Sequence, residues 1–366
     1  STGACLDRRA GNVRSSWNRR VMEVAWFVIV TVMLAMYVVL DGFDFGVGMV
    51  YPFVAHTEAD RQTVRASIGP VWNANEVWLI AAGGVLFFAY PKAYAAGFSG
   101  FYLALILVLW LLIFRGLALE LRAQVDHVLW RQAWDTSFTT SSVLLAMVFG
   151  TALGNLIRGV PLNREGYFFV PLWTDFQPGA APGILDWFTI LLGLSCAVIL
   201  AFHGANYLVM KTEGLLYQRA VSAARILGWM SAGYTVLTVM AVPLVQPSLA
   251  LNFSRNPVVY LAPLIGVIAL GYSLYFRIRG RDTSAFLASS LFIFLMLVSV
   301  MFGMYPNILV STTDQALSLT VHNAATDSYG LTAGISWFIG GFLLMLIYQI
   351  YLYSQFYGKT RSDDGH

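Results

Sequence analysis

Nine runs of apolar residues, each long enough to cross a bilayer, decide most of what this chain can become. They fall near 23–50, 71–91, 98–121, 136–157, 184–210, 222–245, 257–277, 285–305 and 332–356, and about 20 residues suffice to span the hydrocarbon core. Inside lipid, every backbone N–H and C=O must be satisfied within the structure, which leaves helices or closed barrels. Continuous apolar runs of this length exclude short alternating strands. The spacing therefore predicts an all-α, polytopic membrane protein of about nine transmembrane helices. Composition agrees: 58% of the 366 residues are hydrophobic and 11% charged, with mean hydropathy +0.67. Soluble domains carry about 25% charged residues, so no large soluble domain is expected. A net charge of +3 gives no reason to expect a nucleic-acid partner; the lipid bilayer is the first partner. Cys5 and Cys196 lie far apart, and the five histidines show no metal-ligand spacing, so neither a disulfide framework nor a metal site is expected.

Residues 1–21 differ from the rest. Arg8, Arg9, Arg14, Arg19 and Arg20 alternate with small and polar residues, and the composition breaks at Met22. The expectation is a disordered leader at 1–21 outside the working fold, a transmembrane domain at 22–358 and a polar tail at 359–366. Orientation follows from Lys and Arg in the loops. With the leader set aside, thirteen such residues fall on one side, from Arg61, Arg65 and Arg115 through Lys211 and Arg277 to Lys359 and Arg361. Only four, Lys92, Arg158, Arg164 and Arg255, fall on the other. The richer side is expected to be cytoplasmic, with the N-terminus outside and the C-terminus inside. The leader's arginines lie on the wrong side for that rule, a second reason to keep the leader apart.

Charges inside the apolar runs are the candidates for function. A carboxylate at membrane depth costs roughly 2.5–3.5 kcal/mol on insertion scales and needs a partner, a proton or water. Asp41-Gly-Phe-Asp-Phe-Gly-Val-Gly48 closes the first run with two acids. The stretch Ser67 to Gly84 opens on Gly69-Pro70, a helix-start signal, and carries Asn73, Asn75 and Glu76 within two turns. The third run holds Arg115. In an up-and-down topology, Asp41, Asp44, Asn73, Glu76 and Arg115 all fall near one end of three consecutive helices. Two readings stay open: a buried ion pair with Arg115 as counter-charge to Asp44 or Glu76, and a proton uptake route. Asn73 and Glu76, three apart, share a helix face. Gly42, Gly46, Gly48, Gly83 and Gly84 are expected at close helix contacts. His203 could ligate a haem, but a lone histidine beside Gly204 and Asn206 is more often a hydrogen-bonded packing residue. His127 and His322 fall near loops and are expected to be solvated.

The two motifs, Asp41 to Gly48 and Ile68-Gly-Pro-Val-Trp-Asn-Ala-Asn-Glu-Val-Trp-Leu-Ile80, closely resemble subunit II of the cytochrome bd quinol oxidases. The resemblance continues, in order, through Phe98 to Tyr102, Trp130 to Asp135, Gly154 to Pro161, His203 to Tyr207, Met304 to Asn307 and Ser311 to Thr313. It implies nine helices arranged as two four-helix bundles plus one helix. It implies a bacterial cytoplasmic (inner) membrane location and a haem-bearing partner, subunit I, with quinol oxidised and oxygen reduced to water. Haems b558, b595 and d would sit in that partner and none in this chain. Some members of the family hold a structural quinone, and a small single-helix accessory subunit can attach. At one position the chain departs from the pattern: the aspartate that usually follows the motif tryptophan, the proposed mouth of a proton channel, is Asn73 here. If protons pass through this subunit, Glu76, then Asp44, then Asp41 are the candidates to carry them, with Asn73 as a hydrogen-bonding member of a water chain. The competing reading is a secondary transporter with an intramembrane acid, which would be expected to place its site at the midplane among broken helices.

Overall fold

The computed structural model describes residues 2–179, 182–255 and 257–360, with side chains from Trp17 onward. Twelve α-helices are present among them: α1 (Thr2–Val54), α2 (Glu58–Ile68), α3 (Trp72–Ala89), α4 (Pro91–Gly100), α5 (Tyr102–Leu121), α6 (Val128–Arg158), α7 (Trp187–Lys211), α8 (Gly214–Val245), α9 (Pro247–Arg255), α10 (Leu261–Ile278), α11 (Asp282–Met304) and α12 (Ser328–Gln355). Eight are long and apolar enough to span, and a ninth span results if α2 and α3, bent by 41° at their junction, are taken as one. The chain is thus all-α, with the nine apolar runs each marking a helix. Helix α1 continues back through the arginine-rich leader to Thr2. The tail beyond Thr360 lies outside the described residues.

Local chemistry sets the ends. Thr57 and Asp60 form a reciprocal capping box that starts α2: the Thr57 hydroxyl accepts from the Asp60 N–H at 3.1 Å, and Asp60 accepts from the Thr57 N–H at 3.0 Å. Gly69-Pro70 then breaks the helix, since proline cannot continue it, and α3 begins at Trp72. Asp186 caps α7 by accepting from the Phe188 and Thr189 N–H groups. Pro91 opens α4.

Helix α1 packs against α3, α6, α7 and α11, α6 packs against α5 and α7, and α7, α8, α10 and α11 pack in turn against one another. Helix α12 lies at the edge against α1. The crossing of α1 and α7 is tight because two glycines meet. A Cβ placed on Gly46 would lie 2.6 Å from the Gly204 N atom and 2.7 Å from its Cα. Gly42 faces Leu200, and Gly48 faces Ser142 of α6. Gly83 and Gly84 differ: a Cβ on either would meet nothing within 4 Å. The expectation that they mediate packing does not hold within this chain, because they lie on the open side of α3.

The side rich in Lys and Arg, here called the basic end, gathers the C-terminal ends of α1, α5, α7, α10 and α12. At the opposite end, 159–179, 182–186 and 305–327 fold over the helices. There β1 (Asn307–Leu309) pairs antiparallel with β2 (Leu319–Thr320), over a core that includes Trp26, Tyr90, Val321 and Leu331.

Candidate functional site

A cluster of charged and amide side chains is sealed into the helices near the basic end. Arg115 of α5 is fully buried, and its fork is divided between two helices. One terminal nitrogen donates to Asp41 Oδ1 of α1 at 2.6 Å, the other to Glu76 Oε1 of α3 at 2.6 Å. The Phe45 ring lies 4.6 Å from the guanidinium carbon, a cation–π contact that covers its face. Asp44, one turn beyond Asp41, is also fully buried. Its Oδ2 accepts from Asn75 Nδ2 at 2.8 Å. The same Asn75 nitrogen donates to the Leu40 carbonyl at 3.2 Å. On the other side, Asn75 Oδ1 accepts from Tyr353 OH at 2.8 Å and from Gln349 Nε2 at 3.2 Å.

These positions correct the sequence reading in two places. Arg115 pairs with Glu76, one of the two alternatives the sequence left open; its other partner is Asp41 and not Asp44. Spacing along a helix gives depth, and all three acids have nearly the right depth; which acid meets the arginine depends on how each helix is rotated. Asn73 is exposed on α3, and the asparagine that enters the cluster is Asn75. Glu76 bridges the two surroundings: its side chain is 24% exposed while it holds the buried Arg115. Two carboxyl groups thus share one guanidinium, with a third, Asp44, buried beside them. One oxygen of Asp41 and one of Asp44 take no hydrogen bond among the described residues. Asp44 is the acid of the three that no cation contacts among the described residues.

Sequence reasoning missed a second network at the same end. Arg122, 1% exposed, donates to Glu58 at 2.6 and 3.0 Å and to Asp135 at 2.5 and 3.0 Å. Asp135 also accepts from Tyr51 OH at 2.6 Å and from Arg61 at 3.1 Å. The Arg122 guanidinium holds the Glu58 carboxyl below its ordinary range. This network fastens α2 and the α5–α6 turn. His203 is held by both ring nitrogens, Nδ1 with Ser289 Oγ at 2.7 Å and Nε2 with the Val39 carbonyl at 3.1 Å, and it stacks on Phe286. Neither nitrogen faces open space. His322 is partnered rather than simply solvated: Nδ1 lies 2.6 Å from Glu23 Oε2, and Glu23 also accepts from Arg19 at 2.9 Å. Between α1, α6, α7, α8, α9, α10 and α11 lies an apolar cavity of about 620 Å³, lined by Ile157, Leu192, Cys196, Thr238, Phe253 and Met296 among others.

The family model for cytochrome bd terminal oxidase subunit II matches residues 22–356. The chain belongs to the cytochrome bd terminal oxidase subunit II family. It is 30% identical to the cytochrome bd-I ubiquinol oxidase subunit 2 of Escherichia coli (strain K12), over 94% of this chain and 96% of that protein. It is likewise 30% identical to the cytochrome bd ubiquinol oxidase subunit 2 of Bacillus subtilis (strain 168), over 84% and 87%. In fold it is similar to a chain of the bd oxidase from Geobacillus thermodenitrificans, with TM-score 0.72 and 19% identity over 92% of this chain and 99% of that one. This is a multi-pass bacterial membrane protein and a subunit of a terminal oxidase complex, an oxidoreductase.

Proposed function

We propose that this chain is the haem-free second subunit of a quinol-oxidising, oxygen-reducing bd-type complex, and that it delivers protons toward a haem-bearing partner through Asp44, Asp41 and Glu76. Assembly of the complex depends on it, and the helix arrangement is read as two four-helix bundles plus α12. The observation that carries the proton reading is the imbalance of the cluster: three carboxyls, one guanidinium, and an Asp44 whose hydrogen-bonded partner is an amide. An ion pair built only for stability needs no third buried acid, and buried charge without compensation is costly. Glu76 is the hand-over point. It touches the sealed cluster through Arg115 and opens onto the exposed face of α3, beside Asn73, where a partner subunit would lie. Asn73 then belongs to the water-bearing side of that route and carries no proton itself. The 620 Å³ cavity is of a size that holds small ligands and is apolar, which suits a structural quinone.

The test compares Glu76→Gln, Asp44→Asn and Asn73→Asp in the purified complex, each first matched to wild type in haem content by visible spectrum. With saturating quinol and oxygen, Glu76→Gln and Asp44→Asn should each lower turnover by roughly 10²-fold, the low end of what a positioned proton carrier supplies. Adding Asn73→Asp to Glu76→Gln should restore part of it, since that carboxyl sits one turn away on the same exposed side. Unchanged turnover and pH profile in a fully assembled Glu76→Gln complex would assign proton uptake to the partner alone.

A further inference from the structure

The acid cluster reaches beyond the three helices that carry its charges. Gln349 and Tyr353, one turn apart on α12, both donate to the single carbonyl oxygen of Asn75, at 3.2 and 2.8 Å. An asparagine amide has two orientations of nearly equal shape, with opposite meaning for a neighbouring carboxyl. With its N–H groups toward Asp44 it stabilises the carboxylate; with its C=O toward Asp44 it favours the protonated acid. Here the Leu40 carbonyl can only accept, so it draws the NH2 group to the Asp44 side, while two donors occupy the oxygen on the other.

The C-terminal end of α12 is in turn fixed to the C-terminal end of α7. Lys211 Nζ donates to the carbonyls of Phe356 and Gly358, and Lys359 Nζ donates to those of Val209 and Thr212 at 3.0 and 2.9 Å. Each lysine thus satisfies carbonyls at the other segment's helix end, which have no intrahelical partner. The Thr360 N–H adds a bond to the Lys211 carbonyl at 2.8 Å. This clasp begins three residues past Tyr353 and sets the height of α12 against the cluster.

We propose that Gln349 and Tyr353 are positioning residues for the acid cluster: with the Lys211–Lys359 clasp fixing the end of α12, they hold the Asn75 amide with its N–H groups toward Asp44 and so set how readily that carboxyl exchanges its proton. The consequence for turnover rests on the proton-delivery reading; the orientation of the amide does not. The other charged or titratable groups around Asp44 are Asp41 on its own helix, Arg115 on α5, Glu76 on α3, Tyr207 on α7 and Tyr353 itself. None of them is altered by Gln349→Leu, which leaves that variant clean for titration.

The experiment is infrared difference spectroscopy of the purified complex across pH, with Asp44 identified as the carboxyl band missing from Asp44→Asn. Wild type is compared with Gln349→Leu, Tyr353→Phe and the double variant, and turnover is followed across the same pH range. In the double variant the Asp44 midpoint should rise by about one pH unit, the scale of one hydrogen bond to a charged group. Each single variant should move it less, in the same direction. Tyr353→Phe removes one oxygen atom and keeps the ring, so it carries the test should the double variant fail to assemble. An Asp44 midpoint that stays at the wild-type value in these variants overturns the proposal. A midpoint that moves while the turnover profile stays fixed supports the positioning role and removes the proton-delivery reading instead.

Discussion

Arg115 is surrounded by more acid than it can neutralise, and that makes it the residue on which the cluster depends. Removing it leaves Asp41 and Glu76 without their shared partner, and breaking a buried pair commonly costs about 3–5 kcal/mol. Arg115→Leu should therefore lower the yield of assembled complex and its melting temperature. Arg115→Lys should fall between, because an ammonium is a point charge and cannot fork to acids on two helices. A wild-type melting temperature in Arg115→Leu would show that the pairing contributes nothing. The presence of this site was legible because charges stand out in apolar runs. Its wiring was not, because spacing gives depth along a helix but not rotation between helices. One part of the wiring was readable and was missed. Trp72, Asn75, Trp78 and Ala82 are the buried residues of one face of α3. Their spacing of three and four marks Asn75, and not Asn73, as the inward amide.

At the scale of elements, the crossing of α1 and α7 is a joint at which two helix backbones touch. A Cβ on Gly204 would sit 2.5 Å from Gly46 Cα, closer than any real Cβ contact, and both atoms belong to helix backbone that cannot step aside. Gly204→Ala should push the helices apart and cost about 1–3 kcal/mol or more, as overpacking does. The loss should appear as a lower melting temperature of the complex, and an unchanged one would mean that the helices can part freely. Glycines in the sequence pointed to this joint and, equally, to Gly83 and Gly84, which meet nothing in the chain. A glycine in an apolar run shows where close approach is allowed; only the fold shows where a neighbour stands. The short helices α2, α4 and α9 escaped the reading because none is an apolar run of membrane length. The Thr57-Glu-Ala-Asp60 cap of α2 was nevertheless there to be read. Gln349, an amide in the middle of the last apolar run, was likewise a visible sign that α12 faces something polar.

For the molecule as a whole, orientation decides which compartment the acid cluster can draw protons from. Many of the basic-end arginines are paired with acids: Arg122 with Glu58 and Asp135, Arg219 with Asp60, Arg277 with Asp282. That does not weaken the argument, because topology follows the count of Lys and Arg near the spans and not the net charge, to which Asp and Glu contribute little. On the count of thirteen against four we propose that the basic end faces the cytoplasm. The cluster lies close to it: Arg115 stands six residues before the end of α5, or about 9 Å along the helix axis. Protons would then be taken from the cytoplasm, the direction that leaves a gradient across the membrane. The leader is the one segment that opposes this count. Its described ion pair joins the half-exposed Arg19 to the buried Glu23, and Glu23 keeps His322 as a partner when the leader is removed. A chain lacking residues 1–21 should therefore assemble with the same orientation and the same oxidase activity. Reporter fusions check both points at once. A cytoplasm-dependent fluorophore should work when joined after Thr360 or within 122–127, and a periplasm-dependent phosphatase should work when joined within 163–179. Each should behave alike in the full and the shortened chain. The reverse pattern would place the acid cluster at the outer face and make cytoplasmic proton uptake through it untenable, and a pattern that inverts only on truncation would show that the leader's arginines set the topology.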